Sequence, residues 1–341
     1  MRNCDKPIET CGANCPHMHK CYPDLDFFLT STIQLLRGKL QGKKVLCALS
    51  GGVDSAVVAA ILHKAAPESL YCVLIDHGLM REGEVEKIKR VFWGELGMNL
   101  RIVNAEQRFL AALRHVNEAD RKRKVIGSTF IQALEEEMER IGSIDYLAQG
   151  TIVSDTVDAT VSSHFAKKDH KPGEMYHDKS FQEILEPLRD LTKEQVRAVG
   201  LRLGVPKEIV FRQPFPGPGL GMRCLGEVTK ERLDVLKKSD AIFRAEINKA
   251  GLRYDLFQYF TIIGKNKAVG IQKGTRDVGH IIILRAVYSD DPTGMAAKAD
   301  WARLPWETLE STSRQIVTKI PTVTRVVYDI TTKPPSTVEW E

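Results

Sequence analysis

The hydrophobic positions of this chain form short apolar runs separated by longer stretches of helical character. A helical pattern over residues 25–42 comes first, and strand-like runs follow at residues 45–49, 70–76, 100–104, 146–149 and 184–188. Runs of this length, bounded by helical segments, are typical of buried strands. The alternation predicts an α/β fold, with a doubly wound parallel sheet that is covered by helices on both faces.

The pattern changes at residues 214–220, where three prolines and two glycines exclude a regular helix or strand. Beyond it lie a helix over residues 230–250, β-rich runs at 257–263, 280–288 and 323–330, and a helix near 306–319. We therefore predict three parts: a Cys- and His-rich extension over residues 1–24, the α/β domain over 25–213, and a smaller α+β domain over 214–341.

The most specific motif is Ser50-Gly51-Gly52-Val53-Asp54-Ser55, between a strand-like run and a helical run. Its two glycines allow a tight turn and a close approach to a ligand. Ser and Asp suit the start of a helix, where free N–H groups and the helix dipole favour an anion. The motif lacks the Gly-Lys-Ser/Thr ending of the common NTPase loop and is not Gly-x-Gly-x-x-Gly. It predicts a phosphate-binding loop of another kind, called the phosphate loop below.

Two further motifs follow other strands of the predicted sheet. Asp76-His77-Gly78 comes after the second strand, and Gly150-Thr151 comes after the fourth. Parallel strands end at one edge of a sheet, and ligands of such sheets bind beyond the carboxyl ends of the strands. The three motifs therefore predict a single nucleotide site.

Composition and charge narrow the class of protein. The chain has 341 residues, 43% of them hydrophobic, which is enough for a full core in about two domains. The net charge of +5 is mild. It suits an enzyme that acts on small anionic molecules better than a nucleic-acid-binding protein, which usually carries a strongly basic stripe. Since neither a run of about 18 apolar residues nor a signal peptide is evident, we expect a cytoplasmic protein without a membrane span. Cys47 and Cys72 are then predicted to be reduced residues of the core.

Four cysteines crowd the first 21 residues, together with His17 and His19. The gaps of six, three and five residues between Cys4, Cys11, Cys15 and Cys21 do not match a standard paired zinc knuckle. The set nevertheless holds enough soft ligands for Zn²⁺ or an iron–sulfur cluster. A tail with incidental thiols is the alternative, and a third interpretation is a cysteine persulfide or a cluster that supplies sulfur as a nucleophile.

Longer motifs resemble the synthetase part of the GMP synthases, which are N-type ATP pyrophosphatases. They lie at residues 48–55, 76–79, 122–127, 148–151, 212–220, 300–303 and 328–341. The resemblance implies that ATP adenylates the oxygen at C2 of XMP or a related purine nucleotide, with Mg²⁺ as the metal. Ammonia then displaces AMP, and pyrophosphate is released. The second domain would be the family's dimerisation domain, which makes a homodimer and completes the nucleotide site.

The resemblance also implies roles for individual residues. The backbone of residues 50–55 would hold the pyrophosphate, with Gly150 beside it and Asp76 near the ribose or adenine of ATP. Asp54 and Asp155 would be catalytic and bind Mg²⁺, although a helix N-cap is the alternative for Asp155.

The purine nucleotide would meet a second set of side chains, of which Lys333 is also assigned a catalytic role. These substrate-binding candidates are Asp158, Arg285, Lys333, Thr337 and Glu339. A structural ion pair is the alternative for Arg285, and a surface charge is the alternative for Lys333.

Two departures from the family pattern leave the acceptor and the nitrogen donor open. The glutaminase of GMP synthases is absent from this sequence, which predicts free ammonia, a separate glutaminase or a sulfur donor as the source of the nucleophile. Residues 162–166 read Ser-Ser-His-Phe-Ala in place of Lys-Ser-His-His-Asn, and Lys167, Lys168 or Lys171 could supply the missing cation. A paralogue that acts on another carbonyl and a non-catalytic regulatory subunit are the alternative hypotheses.

Overall fold

A computed structural model describes residues 24–153, 155, 183–272, 274–289 and 297–341. The four N-terminal cysteines, Asp158 and residues 162–166 lie outside these ranges. The predictions made for them therefore stay predictions.

The first domain alternates strands and helices in the predicted order. Its helices are α1 (Leu25–Lys39), α2 (Val53–Ala65), α3 (Glu84–Lys89), α4 (Glu106–Ala112), α5 (Ala119–Ile141), α6 (Lys193–Arg202) and α7 (Lys207–Val210). Its strands are β1 (Val45–Ala48), β2 (Leu70–Asp76), β3 (Leu100–Asn104), β4 (Tyr146–Ala148) and β5 (Glu183–Leu185). A 3₁₀ turn over Pro67–Ser69 and a π-helical turn over Arg90–Glu95 lie between them.

The five strands pair in the order β3-β2-β1-β4-β5, and all four pairings are parallel. Val45 and Cys47 pack into the hydrophobic cluster on one face of the sheet, whereas Leu46 packs into the cluster on the other face. That alternation is what a strand buried on both faces requires. The predicted doubly wound parallel sheet is confirmed.

The second domain follows a 3₁₀ turn at Gly219–Arg223. It contains α8 (Lys230–Lys249), β6 (Gln258–Gln272), β7 (Thr275–Tyr288), β8 (Asp300–Trp301), α9 (Trp306–Lys319) and β9 (Val323–Asp329). β6 and β8 run antiparallel to β7, and β9 runs parallel to it. β6 and β7 extend well beyond the predicted runs, because the far end of their hairpin exposes Ile271 and Val278 and so lacks the pattern of a buried strand.

One hydrophobic cluster continues through both domains. It includes Leu46 and Phe109 from the first domain and Phe243, Ile263 and Ile282 from the second. The two domains therefore share a core, and the division at residue 214 remains a prediction.

Charged side chains also join the domains across the Pro- and Gly-rich segment. Phe215 in this segment has three guanidinium groups over its ring, at 4.5 Å for Arg81 and 5.2 Å for both Arg212 and Arg223. Lys122 of α5 is fully buried and donates to the Cys224 carbonyl at 2.7 Å and to the Glu341 carboxylate at 2.5 Å. Buried cations are retained only where they are paired in this way.

The described cysteines are core residues. Cys47, Cys72 and Cys224 are buried and unbridged, as expected for the first two. Burial raises the pKa of the Cys47 thiol to about 12 and also raises that of Cys72. These thiols are protonated near neutral pH and therefore poor nucleophiles. Among the described helices, none is long and apolar enough to cross a membrane.

Gly219 provides a test of the connection between the domains. Its φ is +66°, and an added Cβ would lie 2.5 Å from the backbone oxygen of Leu79. We expect Gly219→Ala to lower the free energy of unfolding by at least about 2 kcal/mol, because it adds a left-handed-region penalty and a backbone clash. Gly217→Ala is the matched control, since an added Cβ there has no neighbour within 4 Å. Urea unfolding of both variants measures the difference, and equal midpoints would contradict this account.

Candidate active site

The phosphate loop lies at the carboxyl end of β1, where it turns into α2. Gly51 has a φ of +74°, and Gly52 is the extended residue that precedes the helix. The hydroxyl oxygens of Ser50 and Ser55 are 3.1 Å apart, and the N–H groups of Ser50 and Gly52 donate to Oγ of Ser55 and Ser50 at 3.2 and 3.3 Å. The N-cap residue of α2, Gly52, makes no side-chain cap. Helix starts of this kind are common anion sites, which makes the first N–H groups of α2 candidates for binding phosphate.

Gly150 brings the end of β4 against this loop. A Cβ on Gly150 would lie 2.9 Å from the Cβ of Asp54 and 3.1 Å from the backbone nitrogen of Ser55. β1 and β4 are neighbours at the point where the strand order reverses, which is where open α/β sheets bind their ligands. The structure thus brings Gly150 and residues 50–55 together, as the strand pattern suggested.

Asp54 points toward a lysine that the sequence analysis did not select. Nζ of Lys193 lies 2.8 Å from Oδ1 and 2.6 Å from Oδ2 of Asp54. Lys193 is the first residue of α6, a helix that packs along α2. The sequence around Lys193 contains a Thr192-x-x-Gln195 capping box. This pattern predicts that a helix starts here, but it does not predict that the helix packs beside Asp54.

Arg212 holds the other side of the loop. It donates from Nη1 to the carbonyl of Gly51 and from Nη2 to Oε2 of Glu84 at 2.8 Å. Burial lowers the pKa of this guanidinium, and Glu84 opposes that effect. The φ of +74° at Gly51 disfavours any side chain there, and a Cβ would also lie 2.7 Å from Nη1 of Arg212, which would have to move.

Asp76 ends β2 beside a cavity of about 250 Å³ between the two domains. Its Oδ1 accepts from the N–H of Gly78 at 3.0 Å. The cavity is lined by charged residues of both domains, including Asp76, Arg81, Glu106, Lys230 and Lys237. Asp76 therefore faces an open space of suitable polarity at the ligand-binding edge of the sheet. Its predicted contact with the ribose or adenine remains a prediction.

Asp155 makes a local contact with its own turn. Its Oδ2 accepts from the N–H of Ile152 at 3.0 Å, and its backbone N–H donates to the Ile152 carbonyl at 3.0 Å. A helix N-cap would accept from an N–H two or three residues further along the chain, so this contact is not the N-cap considered as the alternative for Asp155. The Mg²⁺ role of Asp155 stays a prediction. Among the described residues, no group of three or more His, Cys, Asp or Glu side chains is arranged to hold a metal ion.

The remaining substrate candidates meet in the tail, residues 330–341. Arg285 is fully buried and donates to the carbonyls of Thr331 and Thr337 at 2.5 and 3.2 Å, and it also pairs with Asp329 at 3.2 Å. Arg285 therefore holds the tail in place, in agreement with the structural alternative. Lys333 pairs through its backbone with Ala299. This arrangement does not test whether Arg285 or Lys333 contacts a nucleotide.

Glu339 and Thr337 are fixed within the same tail. Glu339 receives two hydrogen bonds from Arg223, at 2.6 and 3.0 Å, and a third from Gln258 at 2.9 Å. Oγ1 of Thr337 donates to the carbonyl of Glu339. Arg223 also lies over Phe215, whose ring in turn contacts Arg212 beside the phosphate loop. The tail is thus connected to the phosphate loop through three side chains.

The sequence matches two known domains. The family model described as PP-loop domain covers residues 28–138, and that described as GMP synthase C terminal domain covers residues 245–340. GMP synthase [glutamine-hydrolyzing] of Geobacillus kaustophilus is 46% identical over 318 residues, which are 93% of this chain and 61% of the relative. The enzyme of the same name from Clostridium botulinum strain Hall is 48% identical over 315 residues, or 92% and 61%. The chain thus spans 61% of the length of these curated relatives.

A solved structure of NMN synthetase from Francisella tularensis overlaps with 62% of this chain and 86% of its own length, at 17% identity and a TM-score of 0.43. That overlap is partial and adds nothing to the sequence matches. The sheet, the phosphate loop and the matched region define the class: the first domain is a PP-loop ATP pyrophosphatase domain. More particularly, a GMP synthase C-terminal domain follows it, and the homologues of the chain are GMP synthases. The resemblance seen in the motifs is confirmed.

His77 generates a prediction about pH. Burial lowers its pKa to about 4, with Lys237 adding to the effect and Glu84 opposing it, and Nδ1 accepts from the N–H of Leu79 at 3.0 Å. Because the folded pKa lies below the usual 6.5, neutral His77 stabilises the fold above pH 6.5, and this stabilisation is lost as the pH falls toward 4. Between pH 7.5 and pH 5 the loss should be about 2 kcal/mol.

His77→Asn keeps a side-chain acceptor near the Leu79 N–H but does not titrate in this range. Between pH 7.5 and pH 5 the free energy of unfolding should decrease for both proteins. We expect the decrease to be about 2 kcal/mol smaller for His77→Asn than for the wild type. His115→Asn is the control, because His115 is exposed and its φ of 62° is one that Asn tolerates. Urea unfolding at both pH values provides the comparison, and identical pH dependence of all three proteins would disprove the assignment.

Proposed function

We propose that this chain is an ATP-dependent ligase of the GMP synthase type. It adenylates the C2 oxygen of XMP or a related purine nucleotide, and ammonia then displaces AMP. The observation that carries the proposal is the phosphate loop packed against Gly150 at the reversal of the strand order, in a chain 46–48% identical to GMP synthases.

The residues of the phosphate loop suit the first half of this reaction. The free N–H groups at the start of α2 bind the β- and γ-phosphates, so that negative charge on the departing pyrophosphate is stabilised. Asp54 and Asp155 have the carboxylate oxygens that Mg²⁺ prefers, and Mg²⁺ when bound neutralises phosphate charge. Asp76 orients the ribose or the adenine from the end of β2.

The second half of the reaction takes place toward the tail. Arg285, Lys333, Thr337 and Glu339, with Asp158 from the first domain, bind the purine nucleotide whose carbonyl is activated. Glu339 is suited to this because Arg223 and Gln258 fix its carboxylate, so that little side-chain freedom is lost on binding. The protein acts as a homodimer through its second domain and takes ammonia from solution or from a separate glutaminase.

A second candidate function rests on residues 162–166, which differ from the family pattern. The same activation by ATP would then serve another carbonyl substrate, or a sulfur nucleophile would replace ammonia. Pyrophosphate release from a panel of carbonyl substrates distinguishes the two functions. Release with XMP alone would exclude another carbonyl substrate, and GMP as the product formed with an ammonium salt would argue against a sulfur nucleophile.

The direct test is to incubate the protein with ATP, Mg²⁺, XMP and an ammonium salt and to measure GMP and pyrophosphate. We expect both products in equal amounts. Absence of GMP from a protein that binds ATP would contradict the GMP synthase assignment.

Asp54→Asn tests the reaction centre in the same assay. We expect kcat to fall about 100-fold or more, because the carboxylate that would hold Mg²⁺ beside the departing pyrophosphate is removed. Asp255→Asn is the matched control, since Asp255 is exposed in the turn after α8. Unchanged pyrophosphate release by Asp54→Asn would show that the reaction occurs elsewhere.

A further inference from the structure

We propose that Lys122 is a positioning residue for the purine nucleotide. It holds the carboxylate of Glu341, and through the tail it sets the position of Glu339, the substrate-binding candidate two residues earlier. The inference deepens the proposed function and rests on it, because that function gives the tail a nucleotide to bind.

Lys122 is a buried charge in the first turn of α5. Its side chain is fully buried, and Nζ donates to the Glu341 carboxylate at 2.5 Å and to the Cys224 carbonyl at 2.7 Å. The other carboxylate oxygen of Glu341 accepts from the N–H of Gly226 at 3.4 Å. The carboxylate is thus held from two sides, by α5 and by the segment that leads into the second domain.

A second buried cation holds Glu339 in a similar manner. Arg223 is fully buried, and it donates from Nη2 to Oε1 of Glu339 at 2.6 Å and from Nε to Oε2 at 3.0 Å. Its guanidinium also lies 3.8 Å from the ring centre of Phe260. The segment 223–226 therefore meets the tail at Glu339 and again at Glu341, and each of these carboxylates is bound by a buried cation.

These two contacts fix the register of the tail. Val338 is buried in an apolar cluster, whereas the indole N–H of Trp340 donates to Asp329 at 2.9 Å. If the tail slipped by one residue, Val338 or Trp340 would lie beside Arg223, and a fully buried guanidinium would lose its carboxylate. The position of Glu339 in the site is thus determined by the register of the segment around it.

Stability alone does not account for a lysine at position 122. The cost of removing two charges from water roughly cancels their attraction, and apolar side chains of similar size often stabilise a fold as well or better. An apolar pair lacks direction, however, because it can slide where a short, charged hydrogen bond cannot. The pair of Lys122 and Glu341 therefore contributes position more than free energy.

The first test uses three variants: Lys122→Met, Glu341→Met and the double variant. Each single variant leaves one charge without its partner and should lose stability, whereas the double variant should recover most of the wild-type resistance to urea. We expect the KM for XMP to rise about 5- to 20-fold in all three, with the KM for ATP and kcat at saturating XMP within about 2-fold of the wild type.

Arg202→Met is the matched control. It removes a mostly buried arginine that pairs with Asp26 and joins α6 to α1, so it should lower stability without changing the KM for XMP. A double variant that regains both the stability and the KM of the wild type would show a purely structural role of Lys122 and overturn the inference. An equal rise in the KM for ATP would also overturn it.

The proposed function and this inference fail in different ways. A wild-type protein that makes no GMP would overturn the proposed function, and this inference with it. A wild-type protein that makes GMP, together with a Lys122→Met variant whose KM for XMP is unchanged, would overturn only this inference.

The second test asks whether Lys122 acts through the tail, and it uses hydrogen exchange followed by mass spectrometry. In the double variant the amides of residues 330–341 should exchange about 3-fold faster or more, because one of the two contacts that fix the register is lost. Residues 45–65, around the phosphate loop, should exchange as in the wild type. Unchanged exchange of the tail would show that Lys122 does not hold it and would overturn the inference.

Discussion

The contact between Gly150 and the first turn of α2 determines the geometry of the whole site. Because β1 and β4 are adjacent in the sheet, the segments that follow them meet, and the space between them is too small for any side chain at position 150. The start of α2 is thereby packed against the segment after β4, and charged side chains from other elements are arranged around it.

The cations around the phosphate loop come from distant parts of the chain. Lys193 approaches from α6 and Arg212 from the segment after α7, and each contacts a different residue of the loop. Asp54 pairs with Lys193 and Glu84 pairs with Arg212, so each of these cations is balanced by a carboxylate.

Apolar packing and buried charged side chains also join the two domains. They share a hydrophobic cluster, and three arginines surround Phe215 in the segment between them. Arg81 is buried, and this burial lowers its pKa to about 9 despite its ion pair with Asp240. Movement of the tail relative to the phosphate loop would have to break these contacts together.

The parallel sheet, the phosphate loop and the family could be predicted from the amino-acid sequence, because they depend on local periodicity and on motifs of contiguous residues. The sequence also indicated Asp54, Gly150 and Asp76 as parts of one site, since the ends of parallel strands must share an edge. The contacts of those residues became visible in the folded chain. Lys193 pairs with Asp54, which lies 139 positions earlier in the sequence, and Arg285 donates hydrogen bonds to backbone carbonyls of the tail. Neither contact leaves a local pattern, because helix packing and strand order decide which side chains meet.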